Sequence, residues 1–489
     1  MNTAPEKEST PVSSPATPDE PQLRILLWLV AVGFFMQTLD ATIVNTALPA
    51  MARSLNTSPL RMQTVLVAYS LTMAVLIPIS GWVADRFGTR RVFMGAILVF
   101  TLGSLLCGLS YTVPQLVAAR VVQGAGGALM FPVGRLAVLR AYPRDRFLDA
   151  MSFVAIPGLI GPLLGPTLGG WLVQMASWHW IFFINLPVGL VGWAASLRYM
   201  PDFRGTDVPP LDKGGYALLA LGMMLVSLSV DVMADFPGPK VLIVIAVVFG
   251  LASLAAYWLR AARQDRPLFS PRLFAVPALS IGLLGNLFSR LGSSGVPFLI
   301  PLLMQLKLGY PPAQAGMMML PIASAGMLVK RFATWSITRY GYRRVLVLNT
   351  LSVGLLIASF SLLPYEPLWL MLPHLAIFGA SNSLQFTAMN TLVLRDLNSQ
   401  QASSGNSLLS MTQMLAISLG VALAGTLLVG FSNWWQQRTG QAQALQAFQA
   451  ALVCMGTLTL ASAWIFWQLS PQSAMYRRIH AHGALNVAD

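Results

Sequence analysis

Long runs of apolar residues, separated by short polar segments, dominate this sequence. Each run is about as long as the roughly 20 residues that a helix needs to cross the hydrocarbon core of a bilayer. We therefore predict an all-α membrane protein with fourteen transmembrane helices. The runs cover residues 25–48, 62–84, 92–110, 114–136, 151–173, 180–199, 214–233, 240–259, 278–304, 312–332, 344–363, 367–392, 405–431 and 447–468.

The composition indicates that lipid surrounds these helices. Of the 489 residues, 55% are hydrophobic and only 10% are charged, whereas an ordinary soluble domain carries about 25% charged residues. A soluble core has no room for so much apolar surface. The two cysteines, Cys107 and Cys454, lie in apolar runs without ligand-like spacing. We therefore expect neither a disulfide framework nor a metal site.

The basic residues are distributed unevenly between the two sides of the predicted membrane. If the N-terminus is cytoplasmic, 24 of the 31 Lys and Arg residues fall in cytoplasmic tails, loops and helix ends. The five on the other side are Arg53, Arg61, Lys240, Lys307 and Arg438. This positive-inside pattern predicts that both tails are cytoplasmic. It also accounts for the net charge of +14 without a nucleic-acid partner.

Two loop segments resemble each other. GWVADRFGTRR at 81–91 and TWSITRYGYRR at 334–344 agree at five of eleven positions, and both connect the second and third helices of a six-helix set. Repeats related by an axis along the membrane normal are a transporter architecture. We therefore predict two six-helix bundles, with the two extra helices inserted between them as a hairpin.

This repeat divides the chain into predicted parts. The first 22 residues are rich in Pro, Ser, Thr and Glu, a composition typical of a disordered tail. The parts are a disordered cytoplasmic tail at 1–22, an N-terminal bundle at 23–200, an inserted helix pair with its connectors at 201–272, a C-terminal bundle at 273–470 and a cytoplasmic tail at 471–489.

The first loop copy concentrates charge in a chain that has little. Asp85 ends a predicted helix, where its charge opposes the helix's own negative pole, so it needs an arginine or another helix's N-terminus nearby. A loop clamped across both bundles would latch one conformation. The alternative is a tight glycine turn with basic anchors, which suits the second copy better because Thr338 replaces the acid. The latch candidates are Gly81, Asp85, Arg86, Gly88, Arg90 and Arg91.

The fifth apolar run, at 151–173, is rich in glycine and proline. Glycines four residues apart let helix backbones approach closely, and each internal proline deletes a helix hydrogen bond. A hinge or a seal between the bundles is predicted, against the alternative of simple packing. The residues concerned are Pro157, Gly158, Gly161, Pro162, Gly165, Pro166, Gly169 and Gly170.

Ionisable residues inside apolar helices are rare and mark functional sites. Asp40 and Arg120 both lie well inside such helices, and Asp40 is predicted to carry a proton beside Arg120. The alternative is a static buried ion pair. Arg290 is a second embedded cation, equally consistent with a structural role or with substrate contact, whereas Asp231 is read as a residue at the membrane interface. Polar residues assigned to the substrate path together with Arg290 are Gln37, Asn45 and Gln123.

Five of these motifs resemble those of the major facilitator superfamily, and most closely its drug:proton antiporters with fourteen spanning helices. GWVADRFGTRR is similar to the loop 2–3 motif. LVAARVVQGAGGA resembles the helix-4 motif, whose arginine, here Arg120, is tied to proton coupling. PGLIGPLLGPTLGG resembles the helix-5 antiporter motif. LDATIVNTALP and WHWIFFINLPVG resemble the helix-1 and helix-6 boundary motifs.

The resemblance implies a proton-coupled multidrug efflux antiporter of the bacterial inner membrane, working by alternating access. A monomer without cofactors is expected, with a small molecule, protons and the lipid bilayer as partners. The second half shows no embedded acid, only Arg290, so export of anionic metabolites such as organic acids or metal chelates is the alternative. An enzyme is not expected, because no nucleophile is paired with a base and the four histidines are scattered.

Overall fold

The computed structural model describes residues 20–470, apart from gaps at 143–145, 206–207, 209, 234–237, 363–367, 398 and 440–443. Almost all of the two predicted tails lies outside the described residues, and only 20–22 of the first tail is seen, in a helix. The described segments are helices, turns and loops, without a strand. The all-α fold class is therefore confirmed.

The helices follow the predicted apolar runs. The first set contains α1 (Glu20–Ile43), α2 (Leu48–Ser54), α3 (Gln63–Leu76), α4 (Ser80–Phe87), α5 (Thr89–Gly108), α6 (Val113–Ala141), α7 (Phe147–Met175), α8 (Trp180–Phe183) and α9 (Asn185–Tyr199). The inserted pair contains α10 (Lys213–Val232) and α11 (Lys240–Arg263). The last set contains α12 (Pro277–Ser293), α13 (Val296–Leu306), α14 (Pro312–Met317), α15 (Leu320–Leu328), α16 (Lys330–Tyr340), α17 (Tyr342–Ser359), α18 (Met371–Arg395), α19 (Ser399–Thr439) and α20 (Ala444–Trp467).

Eleven helical segments among the described residues are long and apolar enough to cross a membrane. The segment containing α14 and α15 bends by 48° against α16, and this pair is a candidate for a twelfth span. Helices α17 and α18 also coincide with predicted runs but fall outside that set. The total of fourteen spans thus stays a prediction.

Local sequence signals fix where several helices begin. The Thr112 hydroxyl accepts a hydrogen bond from the Gln115 N–H, and Pro114 stands in the first turn of α6, both common at helix starts. The Asp212 carboxylate caps α10 by accepting from the Gly215 N–H at 2.9 Å. Asp212 also pairs with Arg260 of α11 at 3.0 Å. This ion pair joins the two inserted helices.

The helices pack as two halves with the inserted pair beside them. In the first half α1 packs on α7 and α6 packs on α5 and α3; in the second, α20 packs on α17 and α12, and α18 packs on α15. The halves meet where α3 contacts α19 and where α7 contacts α14 and α15. Helix α10 contacts α11, α19 and α3. The inserted pair therefore covers the α3–α19 contact between the halves.

The hydrophobic core differs between the two ends of the molecule. At the end that contains Asn56 and Gly309, which we call the closed end, one continuous core includes residues of both halves, from Ile43 through Val296 to Met455. At the end that contains Gly88 and Gly341, which we call the glycine-turn end, each half has its own core. The halves are thus sealed together at one end only.

The two loop copies adopt the same backbone conformation. Gly88 has φ 92° and ψ 143°, and Gly341 has φ 79° and ψ 159°. Residues with a Cβ rarely adopt this positive-φ region. Each glycine ends one helix and begins the next, α4 to α5 and α16 to α17. The internal repeat inferred from the sequence is therefore also a repeat of backbone geometry.

Candidate functional site

Asp40 and Arg120 form an ion pair in the interior of the first half. The Arg120 Nη1 group donates to Asp40 Oδ2 at 2.6 Å, and both side chains are 0% exposed. Asp40 lies in α1 and Arg120 in α6, so the pair joins two helices that cross in the core. The sequence-based expectation that these two embedded residues are neighbours agrees with this geometry.

Three polar side chains complete a network around the pair. Gln123 Nε2 donates to Asp40 Oδ1 at 2.8 Å and to Ser104 Oγ at 2.6 Å. Asn185 Nδ2 donates to the same Asp40 oxygen at 3.2 Å and to Ser104 Oγ at 3.1 Å. Arg120 Nη1 also donates to Gln123 Oε1 at 2.6 Å. The Asp40 carboxylate thus accepts three hydrogen bonds, contributed by α6 and α9.

The Arg120 guanidinium is held on its other sides by α3. Its Nε donates to the Val65 carbonyl at 3.4 Å, and its Cζ lies 4.3 Å from the centre of the Tyr69 ring, a cation–π distance. Arg120 Nη2 and the Tyr69 hydroxyl are buried without a hydrogen-bond partner in the described part of the chain. The network is therefore not saturated on the side that faces α3.

This arrangement is suited to binding and releasing a proton. An ionised carboxylate in a buried site is stable only while its cation and hydrogen-bond donors stay in place. If Arg120 moves away, Asp40 retains its negative charge only at a high free-energy cost, and protonation removes that cost. A change in helix packing and a change in protonation are therefore physically coupled at this site.

The residues assigned to the substrate path occupy different positions. Gln123 is fully buried and all its amide hydrogen bonds serve the network, so it does not line an open path here. Gln37 is 9% exposed, and its Nε2 lies 3.9 Å from Met73 Sδ while its Oε1 has no partner. Asn45 is buried where α1 gives way to a short 3₁₀ turn.

The glycine ladder of α7 packs against α1. A Cβ added at Gly158 would collide with Phe34, at Gly161 with Thr38, at Gly165 with Thr42 and at Gly169 with Ile43. The Thr46 hydroxyl donates to the Pro166 carbonyl at 3.1 Å, between these helices. α7 is continuous through its three prolines. The ladder is therefore a close-approach surface between α7 and the helix that carries Asp40.

The closed end of α7 also contacts the second half. A Cβ at Gly170 would collide with the Pro312 carbonyl, and one at Gly316 with the Pro166 carbonyl. Thr167 Oγ1 donates to the Gly316 carbonyl at 3.4 Å. Backbones of α7 and α14 thus touch directly. α7 packs on α1 with one set of glycines and on the other half with Gly170.

The charged loop of the first copy pairs within its own half. Arg140 Nη2 of α6 donates to Asp85 Oδ1 at 2.5 Å, and both side chains are partly exposed. Asp202 lies against Gly88, because an added Cβ there would collide with its carboxylate. Arg86 and Arg91 are exposed, Arg90 is half-buried and Gly81 has open space around it. In this conformation the loop does not bridge the halves.

The second loop copy behaves as a simple turn. The Thr338 hydroxyl donates to the Thr334 and Trp335 carbonyls at 3.1 and 2.9 Å, inside its own helix. Arg343 lies over the Trp467 ring at 4.7 Å. These are local contacts, in agreement with the expectation of a glycine turn with basic anchors.

Arg290 occupies α12 in the second half. Its Nε donates to Asn286 Oδ1 at 2.8 Å, and its Cζ lies 4.8 Å from the centre of the Phe386 ring. The side chain is partly exposed, and no carboxylate of the described residues lies within ion-pair distance. Arg290 thus combines embedding in the helix bundle with unused guanidinium donors.

Sequence reasoning missed several members of these networks. Ser104 and Asn185 are polar residues in apolar runs, and that contrast is the signal that would have selected them. Tyr69 carries no such signal, because a tyrosine in a membrane helix is ordinary. The reading of Asp231 as a residue at the membrane interface is corrected: it is 5% exposed and enclosed by protein.

Curated proteins of enterobacteria and their relatives are similar to the whole chain. MdtD of Pectobacterium atrosepticum, named provisionally for multidrug resistance, is 51% identical over 412 residues, which are 84% of this chain and 88% of that protein. The protein of the same name from Serratia proteamaculans is 48% identical over 454 residues, 93% of this chain and 95% of that protein.

Solved transporter structures share the fold at low sequence identity. A D-xylose–proton symporter superposes with a TM-score of 0.65 at 14% identity, covering 92% of this chain and 98% of the other. A bacterial homologue of the human lysosomal transporter Spinster gives 0.66 at 15% identity, covering 92% and 97%.

The family assignment follows from these likenesses and from a family model. The model described as Major Facilitator Superfamily matches residues 30–421, with a further match at 282–486. Membership identifies a multi-pass membrane transporter of the multidrug-resistance type and excludes an enzyme. The chain belongs to the Major Facilitator Superfamily.

Proposed function

We propose that this protein is a proton-coupled efflux antiporter that works by alternating access. The observation that carries the proposal is the fully buried Asp40–Arg120 pair, whose carboxylate accepts three hydrogen bonds. One proton on Asp40 neutralises the carboxylate and releases the arginine. α1, which carries Asp40, packs through the glycine ladder on α7, and α7 touches the second half. Protonation therefore has a short physical route to the contact between the halves.

Alternating access fits the difference between the two ends. One continuous core joins the halves at the closed end, while separate cores occupy the glycine-turn end. The positive-inside pattern assigns the glycine-turn end and both tails to the cytoplasm of a bacterial inner membrane. The described conformation then opens toward the cytoplasm, where an exporter collects its substrate. We propose that the transporter acts as a monomer.

Transport by everted membrane vesicles tests the function. Vesicles with an acidic lumen, monitored by a pH-quenched dye, are exposed to a panel of compounds matched for size. A transported compound is expected to release protons from the lumen, and the release is expected to require this protein. Uptake of compounds at the same rate with and without the pH gradient would contradict proton coupling.

The latch role of Asp85 gives a matched pair of variants. Asp85→Asn removes the ion pair with Arg140, and a partly exposed pair contributes only about 0.2–1 kcal/mol to stability, so expression is expected to be unchanged. Transport is expected to slow, because the loop loses the charge that would be exchanged when the glycine-turn end closes. Thr338→Ala, at the equivalent position of the second loop, is the control. A larger transport defect in Thr338→Ala would reverse the assignment.

A second candidate function is export of anionic metabolites, and Arg290 is the observation that favours it. Its guanidinium is partly exposed and has no carboxylate partner among the described residues. A guanidinium binds a carboxylate through two parallel hydrogen bonds, whereas a permanent cation would be repelled. Asp40 is occupied by Arg120, so Arg290 is the embedded charge available to a ligand.

Arg290→Ala is expected to reduce export of anions severalfold and to admit cations. The measurement is vesicle transport of compounds of equal size and different charge. Arg272→Ala makes the same change of charge at an exposed position of the second half, and it is expected to leave selectivity unchanged. Robust export of quaternary ammonium dyes that is insensitive to Arg290→Ala would favour the ordinary multidrug function.

A further inference from the structure

The inserted helix α10 carries a buried acid that the proposed mechanism does not use. Asp231 lies in the last turn of α10 and is 5% exposed. Neither of its carboxylate oxygens has a hydrogen-bond partner in the described part of the chain. A carboxylate with this environment differs sharply from Asp40, which has a cation and three donors.

Asp231 lies where three parts of the molecule meet at the closed end. Gln63, at the start of α3 in the first half, donates from Nε2 to the Asp231 carbonyl at 3.4 Å. Thr426, on α19 in the second half, donates from Oγ1 to the Val230 carbonyl at 2.7 Å. The Gln63 amide also packs directly on Gly425 of α19. The end of α10 is thus bonded to both halves at once.

No charged group compensates Asp231 at this junction. The polar side chains beside it are Gln63 and Thr64 of α3, and neither titrates. Helix α19 faces it with the glycine and the threonine named above. The basic residues nearest along the other packed segments are Arg61, before α3, and Lys240, at the start of α11, and neither forms an ion pair with Asp231.

An isolated ionised carboxylate costs several kcal/mol to bury, whereas the neutral acid costs far less. Separation of the halves at the closed end would break the junction and admit water to the side chain. We propose that Asp231 is a second proton-binding group, protonated while the closed end is sealed and ionised when it opens. This inference goes beyond the proposed function and rests on it only in treating Asp40 as the first proton site.

The sign of the pH effect follows from this linkage. Closure binds a proton, so acid favours the sealed form of this end and alkali favours its opening. The inserted pair then makes the conformational equilibrium sensitive to pH on the side of the membrane that the closed end faces. The role of the pair is to sense protons at the junction, in addition to filling space beside it.

Thiol labelling of the purified protein, without substrate or gradient, tests this inference. Cys107 and Cys454 are replaced by Ala, and Ala315→Cys serves as the reporter, because Ala315 is fully buried beside the α7–α14 contact. Labelling rates are compared between this parent and Asp231→Asn from acidic to alkaline pH. Their ratio at each pH cancels the ionisation of the thiol itself.

The parent is expected to react severalfold faster than Asp231→Asn at alkaline pH, and the two rates are expected to converge in acid. A ratio that is constant with pH would overturn the proposal. Ser227→Ala is the control, since it removes the 2.8 Å hydrogen bond to Ser418 between α10 and α19 without removing a titratable group. It is expected to change the labelling rate by the same factor at every pH.

Infrared spectroscopy gives a test that does not depend on the neutral variant folding. Sealed protein is expected to show the carbonyl band of a protonated carboxylic acid that shifts in Asp231→Glu. Absence of that band would also overturn the proposal. Both measurements omit transport, so a failure of the antiport mechanism would leave this inference standing, and a failure here would leave Asp40 unaffected.

Discussion

Asp40→Asn is expected to abolish proton-coupled transport. Asparagine keeps the shape of the side chain and one oxygen that can accept hydrogen bonds, but it cannot gain or lose a proton. The variant is expected to remain folded in the membrane with a reduced thermal stability, because removing one partner of a buried ion pair typically costs about 3–5 kcal/mol. Everted vesicles measure coupling, and thermal denaturation of purified protein measures stability.

A double variant separates these two effects. Asp40→Asn combined with Arg120→Gln removes both charges, so no uncompensated cation remains in the core. We expect it to recover much of the lost stability and none of the proton coupling. If the single variant exports substrate against a gradient as well as the parent does, Asp40 has no part in coupling and the ion pair is structural.

Gly169→Val is expected to prevent stable assembly of the first half. A Cβ at this position would lie 2.7 Å from Thr46 Oγ1 and 2.9 Å from Ile43 Cγ1, and it would collide with the Ile43 carbonyl. Because a main-chain atom cannot rotate aside, α7 must move away from α1. Overpacking of this kind costs about 1–3 kcal/mol or more. The yield of monodisperse protein and its melting temperature measure the effect.

The matched control is Gly95→Val, in α5. A Cβ at Gly95 meets no atom within 4 Å, so the helix-propensity change and the added side chain are similar while the collision is absent. Gly95→Val is expected to resemble the parent in yield and melting temperature. Equal behaviour of the two variants would show that α7 and α1 are free to separate, and the ladder would then not be a constrained contact.

The pairing of Asp40 with Arg120 was predictable because the cost of burying a charge leaves few arrangements. Each residue is embedded in an apolar run, and each needs an opposite charge. The same reasoning assigned the glycines of α7 to close packing, though not to α1 in particular. Gln123 shows where it fails: a single polar residue near the pair suits a substrate path as well as a network, and only the positions of Ser104 and Asn185 decide between them.

Asp231 shows a different limit. Its position near the end of an apolar run predicts contact with the membrane surface, since hydropathy describes depth along one helix. Burial depends on which helices lie alongside, and here α3 and α19 come from segments far apart in the chain. Likewise, the bend between α15 and α16 interrupts a run that reads as continuous. Contacts between distant segments are the information that the pattern lacks.

The position of α10 has a consequence for molecules dissolved in the lipid. The two halves meet along two flanks, α3 with α19 and α7 with α14 and α15. On the first flank α10 lies over the junction, so the wall between bilayer and interior is two helices thick there. The second flank has no such cover among the described helices. A hydrophobic compound moving sideways from the bilayer would therefore reach the interior from one direction only.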